Sequence, residues 1–270
     1  MVREFAASAD VLPVGASARS APSAIAHPIE EPPPDTTAAP ETTAPPVPEP
    51  PPEPQVPRVY LTFDDGPGKY TMDILATLAE YDVPATFFVV GLFAEYYPKR
   101  LRAVYEAGHA IGCHSYSHEY REVYASADTI AADIAKWEGA VEAAIGEVPD
   151  TRLYRFPGGT NCSAIEAFAP LYEAVTEAGY RCFDWTCANN DLWPAGNTEG
   201  LEPAEYLKRS VKQSLSACRG ERIMLMHDTS GATAEVLPWI IEYIRGEGYE
   251  FATLAEFPGE YTFTYGAIQN

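Results

Sequence analysis

The chain is short of positive charge. Of its 270 residues, 18 are Lys or Arg against 39 Asp or Glu, a formal net charge of −21. That field repels phosphate and argues against nucleic acid or an anionic membrane surface as a partner. No run of 18 apolar residues exists, so no segment reads as a membrane span. The opening Met1-Val2-Arg3-Glu4-Phe5 lacks the apolar core of a signal peptide. Cysteines are few (113, 162, 182, 187 and 218), and none form a CxxC pair. This excludes a recognisable zinc ribbon and leaves at least one thiol unpaired. Either Cys162 and Cys187 form a bridge, or the cysteines serve as small apolar side chains.

Apolar mass is also missing between Pro28 and Val56, where nearly every residue is Pro, Glu, Thr, Ala, Val or Asp. Such a stretch cannot offset the entropy of ordering. At ~3.1 Å per residue in polyproline II geometry it spans on the order of 90 Å, a spacer. Residues 1–27, rich in Ala and Ser, lack apolar periodicity as well. The reading is a disordered tail and spacer over 1–57 and one single-core domain over 58–270. A Pro/Thr/Glu spacer fits an exported protein, extracellular or at the cell wall, whose native signal or membrane anchor is absent from this sequence.

From residue 58 the pattern changes. Strands are predicted at Arg58–Phe63, Pro84–Gly91, His109–Cys113, Thr151–Phe156, Tyr180–Thr186, Arg222–Met226 and Tyr249–Leu254. Helices are predicted at Tyr70–Tyr81, Phe93–Ala107, Ala127–Ile145 (capped by Ser126), Ala164–Ala178, Ala204–Cys218 and Ala232–Gly246. Seven strands alternating with six helices, without hairpin signals, predict an α/β fold, a distorted (β/α) barrel of about seven parallel strands. In such folds the active site lies at the carboxyl ends of the strands.

Those ends carry the informative residues. The first strand ends in Asp64-Asp65-Gly66-Pro67, two carboxylates that can serve a metal and a water. The third runs into His114-Ser115-Tyr116-Ser117-His118. Two His four apart on one face of a helical turn can grip one ion. Asp plus two His leaves coordination positions open, the mark of a catalytic metal. The fourth strand ends in Arg155-Phe156-Pro157-Gly158-Gly159, where Arg can hold a carboxylate and the turn offers N–H groups to an oxyanion. The sixth ends in Leu225-Met226-His227, a candidate general acid if a carboxylate such as Asp191 keeps it protonated. Taken singly, each has a structural reading: a strand-capping Asp-Gly-Pro turn, a chance HxxxH, a Pro-Gly turn, a core histidine.

Together, TFDDGP, HSYSH, RFPGG, the Asp191 segment and LMH resemble the polysaccharide deacetylase family (NodB homology, carbohydrate esterase family 4) in order and spacing, over about Arg58 to Phe257. The resemblance implies Asp65, His114 and His118 as ligands of one divalent ion, Zn2+ first and Co2+, Ni2+ or Mn2+ as alternatives. It implies Asp64 as general base oriented by Arg155, Gly158 N–H as oxyanion donor, and His227 as general acid partnered by Asp191. Trp185, Leu225 and Trp193 are the expected lining on the substrate side. The chain departs where many members read Asp-x-x-Asp-Trp: here stands Ala188-Asn189-Asn190-Asp191-Leu192, with the Trp lost or displaced to Trp193. Gly158 also stands where many members have Tyr. The implied activity is hydrolysis of N-acetyl groups from a glycan, with peptidoglycan N-acetylglucosamine ahead of chitin oligosaccharides, and with O-deacetylation of xylan open to the same site. A non-catalytic glycan-binding module is disfavoured because all five motifs keep their functional residues. The glycan is the one partner implied, for a protein expected to be a monomer.

Overall fold

The strand series begins with β1 (Arg58–Gly66) and is followed by α1 (Thr71–Glu80), β2 (Thr86–Val89), α2 (Gly91–Tyr96), α3 (Pro98–Glu106), β3 (Ala110–Cys113), α4 (Tyr120–Val123) and α5 (Ala127–Ile145). Then come β4 (Leu153–Tyr154), α6 (Phe168–Glu177), β5 (Arg181–Cys182), β6 (Cys187–Ala188), α7 (Pro203–Ala217), β7 (Arg222–His227), α8 (Gly231–Gly246), β8 (Glu250–Phe251), β9 (Glu260–Thr262) and β10 (Gly266–Ile268). This computed structural model describes residues 56–192, 198 and 200–268. The expected tail and spacer lie outside the described residues, except for Val56 and Pro57.

The main sheet is parallel throughout, in the order β5-β4-β3-β2-β1-β7-β6, with β8 pairing the start of β1. It curls into the expected distorted barrel. Alternation along the strands explains why. Val59, Leu61, Phe63, Phe87, Val89, Ile111, Cys113, Met224 and Met226 pack outward in the larger apolar cluster, with Ile74, Trp137 and Ile240 of the helices. Tyr60, Phe88, Ala110, Leu153 and Ile223 face the inner cluster, which Leu254 and Phe257 complete. Side chains alternate with a period of two, so Thr62, Asp64, Arg155, Leu225 and His227 inherit the inward direction. They continue the interior upward toward the strand tips. No described helix is long and apolar enough to cross a membrane.

Three expectations need correction. The helix expected over Phe93–Ala107 is two helices broken at Tyr97 (φ −129°, ψ 50°). Pro98 has no N–H to donate and keeps its predecessor out of the α region. The strand expected over Tyr180–Thr186 belongs to both edges of the sheet. Phe183 N–H still donates to Tyr154 O (2.9 Å), but Thr186 N–H donates across the gap to Ile223 O (2.9 Å). The chain itself therefore joins the two edges. Finally, an antiparallel pair, β9 with β10, follows the last repeat, where no hairpin was expected. β9 fills the gap: Phe183 bridges Tyr261, and Asp184 N–H donates to Tyr261 O at 2.7 Å.

Candidate active site

A bulge decides where the two adjacent carboxylates point. In the β1–β2 register Asp64 faces Phe88 and Gly66 faces Val89, so Asp65 is the extra residue. Neighbours in a regular strand point to opposite faces, whereas an inserted residue re-aims its side chain. Asp65 takes φ +68°, and both carboxylates approach His114: Nε2 lies 3.7 Å from Asp64 Oδ2 and 3.4 Å from Asp65 Oδ1. The bulge needs glycine next. A Cβ on Gly66 would sit 2.2–2.5 Å from the Asp228 carboxyl group.

The His114–His118 segment is not the helical turn the spacing predicts. Ser115 and His118 both have positive φ (62° and 58°), and the segment is a bent loop. It is held from outside. Asp133, on the core face of α5, accepts from the N–H groups of Tyr116 (2.6 Å) and Ser117 (3.3 Å), while Ser115 Oγ accepts from His118 N–H (2.9 Å). The loop still brings His118 Nε2 to 3.3 Å from Asp65 Oδ1. His114 Nδ1 bonds the Arg155 carbonyl (2.8 Å), which leaves its Nε2 bare toward the site. Asp65 Oδ1 is buried without a hydrogen-bond partner, and the ligating atoms of Asp65, His114 and His118 lie within 4.8 Å of one another. An orphaned carboxylate oxygen facing two imidazole nitrogens is the donor set of a divalent transition-metal site. Burial raises the Asp65 carboxyl, but the two imidazoles that face it, His114 and His118, outweigh burial and hold the group well below its ordinary value.

Arg155 is fully buried, and each guanidinium nitrogen is used. Nη1 reaches Asp64 Oδ1 and Thr62 Oγ1, both at 2.7 Å; Nε donates to Phe183 O (2.9 Å) and Nη2 to Asp184 O (3.1 Å). Its Cζ lies 4.1 Å from the centre of the Phe88 ring. This fixes one oxygen of Asp64 and leaves the other facing the histidines. Beyond Arg155 the chain turns through Gly158 (φ +76°) and Gly159 (φ +83°), conformations that cost other residues strain.

On the opposite wall, Asp191 Oδ1 lies 2.7 Å from His227 Nδ1, and Oδ2 accepts from His227 N–H (2.9 Å) and from the Thr233 hydroxyl. Burial lowers the His227 imidazolium, but the Asp191 hydrogen bond and charge, followed by the charges of Asp64 and Asp65, carry it up to about 9. His227 Nε2 stands 3.9 Å from Asp65 Oδ2, across the cleft from the histidine pair. Next to it lies an apolar hollow of about 240 Å³ lined by Trp185, Leu192, Leu225 and His227. Trp193 lies outside the described residues. All five thiols are free, and Cys187 Sγ turns to Ile223 O, so the Cys162–Cys187 bridge does not form.

Three supporting residues escaped the sequence reading. Asp133 carried a signal, an acid on the buried face of a helix between Ile130 and Trp137. Asn189, buried, donates to Thr233 Oγ1 and accepts from Asp191 N–H, holding the residue that holds His227. Asp184, fully buried, accepts from Thr160 N–H and hydroxyl and from Phe263 N–H (2.7 Å). Burial pushes its carboxyl upward against those hydrogen bonds.

Comparison with known proteins places these features in company. The profile of the polysaccharide deacetylase family matches residues 52–182. A peptidoglycan-N-acetylglucosamine deacetylase of Bacillus cereus is 31% identical over 199 residues, covering 73% of this chain and 69% of that protein. A polysaccharide deacetylase structure from Bacillus cereus superposes with a TM-score of 0.66 at 29% identity, covering 77% of this chain and 98% of that one. The catalytic domain of a peptidoglycan N-acetylglucosamine deacetylase from Eubacterium rectale gives 0.66 at 27% identity, over 80% and 94%.

Proposed function

Because the chain belongs to the polysaccharide deacetylase family, carbohydrate esterase family 4, we propose that it removes N-acetyl groups from N-acetylglucosamine residues of peptidoglycan, outside the cell, with one zinc ion. One observation carries this reading: three residues able to hold a metal lie between a carboxylate locked by a buried arginine and a histidine held charged by Asp191, beside an apolar hollow.

Asp65, His114 and His118 would hold the ion, which would supply Lewis-acid polarisation of the acyl carbonyl and a more acidic water. Asp64, its Oδ1 engaged by Arg155, takes the proton of the attacking water on Oδ2. Arg155 keeps that carboxylate aimed and prevents its rotation away from the cleft. The Gly158 N–H donates to the developing oxyanion. His227 Nε2 then gives its proton to the departing nitrogen, without which the amine leaves poorly; acetate and a free amino sugar are released. Trp185, Leu192 and Leu225 receive the acetyl methyl and exclude water from it. Peptidoglycan is favoured by the similarity to wall-acting relatives and by the Pro-rich composition of residues 28–56, which suits an exported protein.

The test is acetate release from peptidoglycan, chitopentaose and acetylxylan by zinc-reloaded protein. Peptidoglycan should lead. Release from acetylxylan alone would overturn the substrate, and release from none of the three would overturn the function.

A further inference from the structure

One hydroxyl beside the site has no partner among the described residues. Tyr120 opens α4, two residues after His118, with its ring centre 5.5 Å from the His118 ring and 5.8 Å from that of Tyr124. Tyr124 is buried and spends its hydroxyl on Pro157 O (2.6 Å), tying α4 to the glycine turn. The Tyr120 hydroxyl makes no hydrogen bond with any described residue, although its ring is half-buried in this aromatic row. It points at the same turn. A Cβ built on Gly158 would lie 2.8 Å from the Tyr120 oxygen, so only a residue without a side chain leaves the phenol this position.

That distance bounds the next one. Cβ and backbone N of any residue share one Cα and stand about 2.5 Å apart. The Tyr120 oxygen is therefore no more than roughly 5.3 Å from the Gly158 nitrogen. Two donors within about 5.7 Å can share one acceptor, each at an ordinary length near 2.9 Å. An acyl oxygen seated between the Gly158 N–H and the phenol can thus accept from both. The acetyl hollow is lined from the opposite wall, by Trp185, Leu192 and Leu225, so Tyr120 does not serve the methyl group.

We propose that Tyr120 is a catalytic residue, its phenol O–H a second protein donor to the oxyanion, in the space that glycine at 158 leaves open. This rests on the deacetylase reading given above. The phenol keeps its proton throughout, and no bond to it is made or broken.

The experiment uses Tyr120→Phe, which retains the ring against His118 and Tyr124. Zinc content, melting temperature, kcat and KM are measured beside wild type on the best of the three glycans. The expectation is a loss of about 10-fold or more in kcat, with KM changed less than about twofold and with metal content and melting temperature unaltered, because a donor to the transition state is lost rather than uniform binding. An unchanged kcat overturns the proposal, and so does a loss confined to KM, which would mark a contact to a sugar hydroxyl. A drop in kcat accompanied by lost zinc or lower melting temperature also overturns it, since the phenol would then be supporting His118. If wild type releases no acetate from any glycan, the function fails and this proposal falls with it; wild-type turnover with an unaffected variant removes the proposal alone.

Discussion

Replacing Asp191 with Asn should carry the alkaline edge of the activity profile down from about pH 9 to 6.5 or below. The carboxylate makes two short contacts to His227, one to Nδ1 at 2.7 Å and one to the backbone N–H at 2.9 Å, and its side chain is 2% exposed. With so little water nearby, its charge acts at nearly full strength. The imidazolium stands at about 9 against an ordinary 6.5, which at ~1.4 kcal/mol per pH unit is about 3 kcal/mol in favour of the charged form. Asn keeps the shape and an acceptor but removes the charge, and burial then lowers the imidazolium further. A general acid works only while protonated, so activity is lost as pH rises through its pKa. Folding is linked with the same sign. A raised imidazolium contributes its full stabilisation below 6.5 and loses it as pH rises from 6.5 through 9. The assay is kcat/KM on one soluble oligosaccharide from pH 5 to 10, with melting temperature followed in parallel. An alkaline limb in Asp191→Asn that coincides with wild type would refute both the pairing and the acid role.

Other substitutions address other walls. His227→Ala should lower kcat by roughly 10²–10⁴ with metal content intact, measured by elemental analysis; a zinc-free variant would make His227 a ligand instead. His118→Ala, or chelation of wild type, should remove the single equivalent of metal and the activity together. Asp133→Ala frees the loop that sets His118, so metal affinity should fall about 10–100-fold in a competition titration while the strands stay folded. Gly66→Ala drives a methyl group into the Asp228 carboxyl and should cost about 1–3 kcal/mol in urea unfolding.

The sequence told most where the chemistry is local. Asp64, Asp65, His114, Arg155 and His227 were legible because each sits at the tip of an apolar run, and the topology gathers such tips; Asp191, in the polar segment after Ala188, carried no such signal. His114 and His118 do come together beside Asp65, but not through the geometry their spacing suggested. Spacing of four suggested a helical turn, whereas the loop is shaped by Asp133, sixteen and seventeen residues from the amides it holds. The broken strand at Phe183–Thr186 was illegible because an apolar run cannot say which edge of a sheet it joins. The hairpin after Phe257 was missed for a related reason: its strands are three residues each, and its pairing partner Phe183 lies far back in sequence. Tyr120 gave no sign at all until Gly158 was placed beside it.

The hairpin that closes the barrel also sets a schedule. Arg155 and Asp184 emerge from a ribosome well before Tyr261 and Phe263, yet Asp184 is completed only by the amide of Phe263. Until that strand arrives, a carboxyl group destined for a fully buried place lacks one of its donors, and the seam between the sheet edges stands open to water. The turn carrying Gly158 hangs on the same carboxylate through Thr160. A nascent chain can thus form its first strands and even meet a metal ion while its reaction centre is still unassembled. Competence arrives late in translation, with the segment that holds none of the family's motifs.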